Sequence, residues 1–214
     1  MKELLKTVKE KLSVKYLKKD TLKKYSKTSK KFKPRIRARI RKNKQIIGKN
    51  IDSFFDWLKG AELVELKECS TDEDPVRPEL DNIFRRSYGR KIFGVKYGGE
   101  IHAVMCFAFT NQIPKSVEEL DKFSHDAFLQ SAQRDQNVGQ IAIAYTVWSK
   151  KRGGGKLIVK EVFKKIKRSN HLNRLITLSP LTEMATKFHS KNGAKLLQIN
   201  ESTQNFEYQV EKKL

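Results

Sequence analysis

The chain has 214 residues, enough for one ordinary domain plus a sizeable extension. Its hydrophobic content of 38% suffices for a core, and its formal charge is +22. No run approaches the ~18 apolar residues of a membrane span, and Met1 to Ser13, cut by Glu3 and Glu10, lacks the apolar stretch of a secretory signal, so a cytoplasmic protein is expected.

The charge is unevenly spread. Residues 1–50 hold 20 Lys/Arg against three acids, a net +17 of the +22. The expected organisation is therefore a basic N-terminal arm, 1–50, on a nearly ordinary domain, 51–214. Within the arm, Leu5, Val8, Leu12 and Tyr16 recur at helical spacing and give a narrow apolar stripe on a basic helix. Such a helix docks on its own protein, on a partner or on lipid. Further on, residues 35–41 alternate strictly. As a strand they place Arg35, Arg37, Arg39 and Arg41 on one face, an arrangement that suits phosphate contacts with nucleic acid or another polyanion. A solvated tail is the other reading of the same run.

Beyond the arm, Phe54, Phe55, Trp57 and Leu58 crowd a short helical segment, followed by a strand at 61–69 and an acidic turn, Thr71-Asp72-Glu73-Asp74-Pro75. A helix is expected over 78–88. Strands at 91–97 and 100–109 are joined by Gly98-Gly99, a two-residue hairpin signal. Helical pieces follow over 117–129, then an apolar strand at 140–148, a helix at 156–168 and a strand at 174–178. A helix at 182–191 is stopped by Asn192-Gly193, and short strands at 194–199 and 205–210 finish the chain. Strands that are first antiparallel and then alternate with helices predict a mixed α/β sheet. The two cysteines, Cys69 and Cys106, fall in strand-like runs and read as two buried free thiols in a reducing compartment. His and Cys never occur at metal-ligand spacing, so no metal site is expected.

The segment with most chemical content runs from Ile141 through Thr146 and Val147 to Lys150-Lys151-Arg152-Gly153-Gly154-Gly155-Lys156. A buried strand enters three glycines that open an amphipathic helix. Glycines leave backbone N–H groups uncovered, and the helix N-terminus adds partial positive charge, so the turn can cradle a pyrophosphate. The four basic side chains around it suit further phosphates. The P-loop pattern fails because Leu157 stands where Ser/Thr is needed, and the dinucleotide fingerprint fails on glycine spacing.

Lys150-x-x-Gly153-x-Gly155 resembles the phosphate loop of the GNAT acyltransferase superfamily, with Lys in its first position. That resemblance implies a GNAT-type, mostly antiparallel twisted sheet flanked by helices, and a coenzyme A thioester bound at Thr146, Val147 and 150–156. Downstream, Thr177-Leu-Ser-Pro180 and Phe188-His-Ser-Lys-Asn-Gly-Ala194 are similar to the catalytic segments of malonyl-CoA decarboxylase, a GNAT-fold family. Upstream stretches, among them Ile113-Pro-Lys-Ser-Val-Glu-Glu-Leu120, fall in the same order. The resemblance implies that Ser179 holds the malonyl carboxylate and that His189 protonates the carbanion left by carbon dioxide. Two other readings stay open on the sequence. One is an N-acetyltransferase that moves an acetyl group from acetyl-CoA to an amine, with His189 in the role of the family's tyrosine. The other is a non-catalytic polyanion-binding protein on a GNAT scaffold.

Overall fold

The structure is a computed structural model that describes residues 56–57, 59–134 and 139–209. The basic arm, with its amphipathic stretch and Arg35–Arg41 run, lies outside the described residues.

The described chain forms β1 (Glu62–Leu66), a short α1 (Asn82–Arg86), β2 (Lys91–Tyr97), β3 (Glu100–Thr110), α2 (Val117–Arg134) and β4 (Ile141–Ser149). It continues with α3 (Gly154–Lys167), β5 (Arg174–Thr177), β6 (Ser179–Pro180), α4 (Glu183–Lys191), β7 (Lys195–Ile199) and β8 (Thr203–Tyr208). The eight strands make one sheet in the order β1-β2-β3-β4-β5-β8-β6, with β7 on β8. All neighbours are antiparallel except β4 and β5. The expected mixed, mostly antiparallel sheet flanked by helices is therefore present.

Local chemistry accounts for most of the boundaries. Gly98 and Gly99 have φ of +60° and +88°, the left-handed pair that a tight hairpin requires. Thr182 caps α4 by accepting from the Ala185 amide, and Gly193 (φ +88°) follows its C-terminus. The helix expected over 78–88 is shorter, because Asp81 accepts from the Phe84 amide and starts α1 there. Conversely, α3 begins at Gly154, ahead of the expected 156, with Gly153 at φ +87° as its cap residue. Of the cysteines, Cys106 is buried on β3 as expected. Cys69 lies three residues beyond β1 and is only partly buried, a correction to its placement on a strand.

One face of the sheet packs Ile92, Cys106, Ile143, Ile176 and Leu178 against Leu120 of α2. On α3, Leu157, Ile158, Val162 and Ile166 turn inward at helical spacing and the lysines turn out. The feature that matters for a site is a fork in the sheet. β4 and β5 pair in parallel only from Ile141 to Ala144 against Arg174 to Thr177, and the Leu178 amide adds a last bond to the Ala144 carbonyl at 2.9 Å. The chain after β5 then turns onto β8 through Ser179–Gln204, while β4 runs on to Ser149. A register shift opposite Cys106/Phe107 places Tyr145 as an extra residue at the fork.

Candidate active site

The fork opens into an apolar cleft of about 560 Å³, bounded by Ala144–Lys150, Gly155 and the Thr182, Ala185 and Phe188 side of α4. Ser179, His189 and Tyr208 line it from three different elements, β6, α4 and β8. The Ser179 hydroxyl and His189 Nε2 are 2.8 Å apart, and His189 Nδ1 is 3.0 Å from the Tyr208 hydroxyl. Ser179 also donates to Thr177 Oγ1 at 3.0 Å, and that oxygen accepts from the Phe206 amide. With Ser179 donating to Thr177, the consistent imidazole tautomer carries its proton on Nε2 and accepts from Tyr208 at Nδ1.

The imidazole is fixed by packing as well as by hydrogen bonds. It stacks on Phe206 at 5.0 Å and meets Phe188 edge-on at 5.1 Å. Burial pushes its pKa down to about 4, so it is neutral near pH 7. Burial likewise pushes the Tyr208 hydroxyl up, keeping it a proton donor.

Of the residues expected to meet a coenzyme, Thr146, Val147, Lys150 and Gly155 line the cleft, whereas Lys151, Arg152, Gly153, Gly154 and Lys156 are not among its lining residues. Lys150 pairs with Glu73 at 2.6 Å, and Lys151 lies over the Trp57 and Tyr97 rings. The three glycines differ in what they do. A Cβ on Gly154 would sit 3.0 Å from Ser149 Cβ and 3.3 Å from the His102 carbonyl oxygen, so the backbone there touches β3 and β4. A Cβ on Gly155 would meet first the Phe188 ring, at 3.1 Å, and then the Ser149 hydroxyl at 3.8 Å, side-chain atoms and not backbone. The Gly154 amide bonds to the Lys151 carbonyl and the Leu157 amide to Gly153. The first-turn amides of Gly155 and Lys156 remain as the donors that the helix itself cannot satisfy.

Sequence reasoning passed over a buried polar strut beside the cleft. Asp74, in the acidic turn, accepts from the Thr146 hydroxyl at 2.8 Å, from the Val76 and Arg77 amides, and from Arg85 Nη2 at 2.9 Å. Arg77 then donates to the Tyr145 carbonyl at 3.1 Å and reaches the Leu178 carbonyl at 3.5 Å, spanning the two arms of the fork. Its sign in the sequence was the acid before Pro75 in the acidic turn.

Among the described residues no group of His, Cys, Asp and Glu could hold a metal ion, and no helix is long and apolar enough to cross a membrane. No family model and no curated protein sequence matches the chain. Solved structures do match. The loading GNATL domain of CurA from Lyngbya majuscula aligns with 70% of this chain and 98% of its own, at 10% identity and a TM-score of 0.52. The GphF GNAT-like decarboxylase in complex with isobutyryl-CoA aligns with 70% of this chain and 100% of its own, at 10% identity and a TM-score of 0.53. A malonyl-CoA decarboxylase from Cupriavidus metallidurans aligns with 65% of this chain and 36% of its own, at 20% identity and a TM-score of 0.42. The mostly antiparallel sheet flanked by helices is a GNAT fold, and this chain has it.

Proposed function

We propose that this protein binds a malonyl thioester of coenzyme A and decarboxylates it to the acetyl thioester, with Ser179 and His189 as the working pair. The observation that carries the reading is the 2.8 Å Ser179–His189 contact in an apolar cleft at the β4/β5 fork. Gly155 and Lys156 would offer their amides to the pyrophosphate at the N-terminus of α3, with Lys150 near the cleft. Past Tyr145, whose carbonyl Arg77 holds, β4 has no strand partner on its β5 side among the described residues, and that edge would pair with the pantetheine amides.

The chemistry follows from the surroundings. A carboxylate in an apolar cleft is poorly solvated, whereas carbon dioxide is neutral, so the cleft favours departure. On substrate binding the Ser179 hydroxyl would turn from Thr177 Oγ1 and donate to the carboxylate, orienting it. As the bond between C2 and the carboxyl carbon breaks, its electron pair passes into the thioester as an enolate. His189 Nε2–H gives its proton to C2, and the imidazole recovers one from solvent after release. A neutral imidazole suits this step, because the enolate is basic enough to take its proton and an imidazolium would hold the departing carboxylate in place. Tyr208 keeps the tautomer.

Incubating the full chain with malonyl-CoA in deuterium oxide and resolving products by mass tests the reading. Acetyl-CoA deuterated at C2 is expected. His189→Ala should lower turnover by at least about 100-fold, in line with loss of a general acid, and Ser179→Ala should lower it too. Malonyl-CoA left intact would end the decarboxylase reading. Transfer of acetyl from acetyl-CoA to an amine would put the acyltransferase reading in its place.

For the arm we propose a polyanion contact, nucleic acid first, supported by the concentration of +17 of the +22 charge in residues 1–50.

A further inference from the structure

Away from the Ser–His pair, the two cysteines converge on one guanidinium. Arg85 is completely buried, and its Nη1 lies 3.5 Å from Cys69 Sγ and 3.6 Å from Cys106 Sγ. Its Nη2 pairs with Asp74, and its plane lies over Trp148. Cys69 lines a cavity of about 200 Å³ together with Glu68, Ser70, Ile101 and Val104; Trp148, Glu73 and Lys150 border both this cavity and the larger cleft. The two thiols differ in character. A hydrogen bond from Cys106, then the charge of Arg85 working against burial, lowers the Cys69 pKa to about 7. Burial pushes Cys106 well up, so it keeps its proton.

We infer that Cys69 and Cys106 are a redox-active dithiol, in which a small hydroperoxide entering the lesser cavity oxidises Cys69 and Cys106 then closes a disulfide. The Cys69 thiolate attacks the hydroperoxide, forming an S–O bond as the O–O bond breaks, and the departing oxygen takes a proton from solvent and leaves as an alcohol or water. Cys69 is then a sulfenic acid. The Cys106 sulfur displaces its hydroxyl, forming the S–S bond and releasing water with the Cys106 proton. The dithiol loses two electrons and the peroxide gains them.

The bond has a mechanical consequence. A disulfide holds its sulfurs at ~2 Å, nearer than unbonded thiols approach. Cys106 is paired into the middle of β3 and is fixed, so Cys69 moves. Its amide and carbonyl are both held by Asn82, and the loop it begins runs into Asp74 and the cleft residues Pro75 and Val76. Closure therefore strains the turn whose amides at Asp74, Val76 and Arg77 are bonded within it.

The test uses the full chain treated with hydrogen peroxide, alkylated and digested. A Cys69–Cys106 linked peptide pair is expected, lighter by two hydrogens, and reversed by dithiothreitol. In Cys106→Ser, dimedone should label Cys69; in Cys69→Ser, Cys106 should stay unreacted. Amide exchange over residues 74–77 should quicken about ten-fold on oxidation and recover on reduction. The wild-type measurements stand without either variant. Cys69 oxidised with no internal link, or links only between chains, would overturn the dithiol, and an internal link with unchanged exchange would overturn its coupling to the loop.

Discussion

His189 is 5% exposed, and burial disfavours the charged ring. Its pKa falls from 6.5 to about 4 through burial alone, so the unfolded chain binds a proton there over a range where the folded protein does not. The sign follows directly: this contribution to stability is complete above pH ~6.5 and is lost as pH falls toward ~4, at ~1.4 kcal/mol per unit and about 3 kcal/mol in all. Denaturant titrations of wild type and His189→Asn should therefore differ by an amount that shrinks by about 3 kcal/mol across that window. A difference that stays constant with pH would contradict the neutral, buried imidazole. The motif made Ser179 and His189 legible in the sequence, but not the lowered pKa of the ring. Phe188 is its neighbour on α4, but the stacking Phe206 comes from β8, which follows later in the chain. Tyr208 was illegible for a similar reason, since a tyrosine in a terminal strand meets His189 only after β8 inserts between β5 and β6.

At the scale of one element, α3 shows how three consecutive glycines divide their work. Gly153 turns the chain, Gly154 presses against β3 and β4, and Gly155 leaves room beside Phe188. Gly155→Val should therefore place methyl groups in the cleft and weaken coenzyme A binding at least ten-fold by calorimetry, with thermal stability changed little. Gly154→Val should instead lower the melting temperature, because its neighbours are β-strand atoms that cannot retreat. Equal effects of the two variants on stability would show that Gly155 is only a packing residue. The start of α3 was misplaced in the sequence reading because glycine disfavours helix interiors by ~1 kcal/mol. That propensity was overridden by a close approach visible only in three dimensions. The hairpin at Gly98-Gly99 and the stop at Gly193 were legible because the reason for each is local, a positive φ that other residues resist.

Over the whole molecule, the sheet order was legible in outline, as antiparallel strands followed by a β–α–β unit, but the depth of the fork between 140–148 and 174–178 was not. Its depth depends on the Tyr145 bulge and on Arg77 reaching across from a loop more than sixty residues earlier, and neither leaves a periodic trace. Charge distribution, by contrast, is readable from sequence at any scale, and it sets the last expectation. With +17 of the formal charge in residues 1–50, polyanion affinity should belong to the arm and not to the folded domain. Four to eight phosphate contacts on duplex DNA release counterions, so log affinity should fall against log salt with a slope of roughly −4 to −7. Sequence preference should be slight, because the run from Arg35 to Arg41 alternates guanidiniums with Ile36, Ala38 and Ile40, which cannot read base edges by hydrogen bonding. Filter binding of the full chain and of a chain lacking residues 1–45, each over a salt series, separates the two contributions. Truncation should remove the steep slope and leave coenzyme A affinity nearly unchanged. If the truncated chain held DNA as tightly, the lysines along the outer face of α3 would be the polyanion surface and the arm would serve only its own protein.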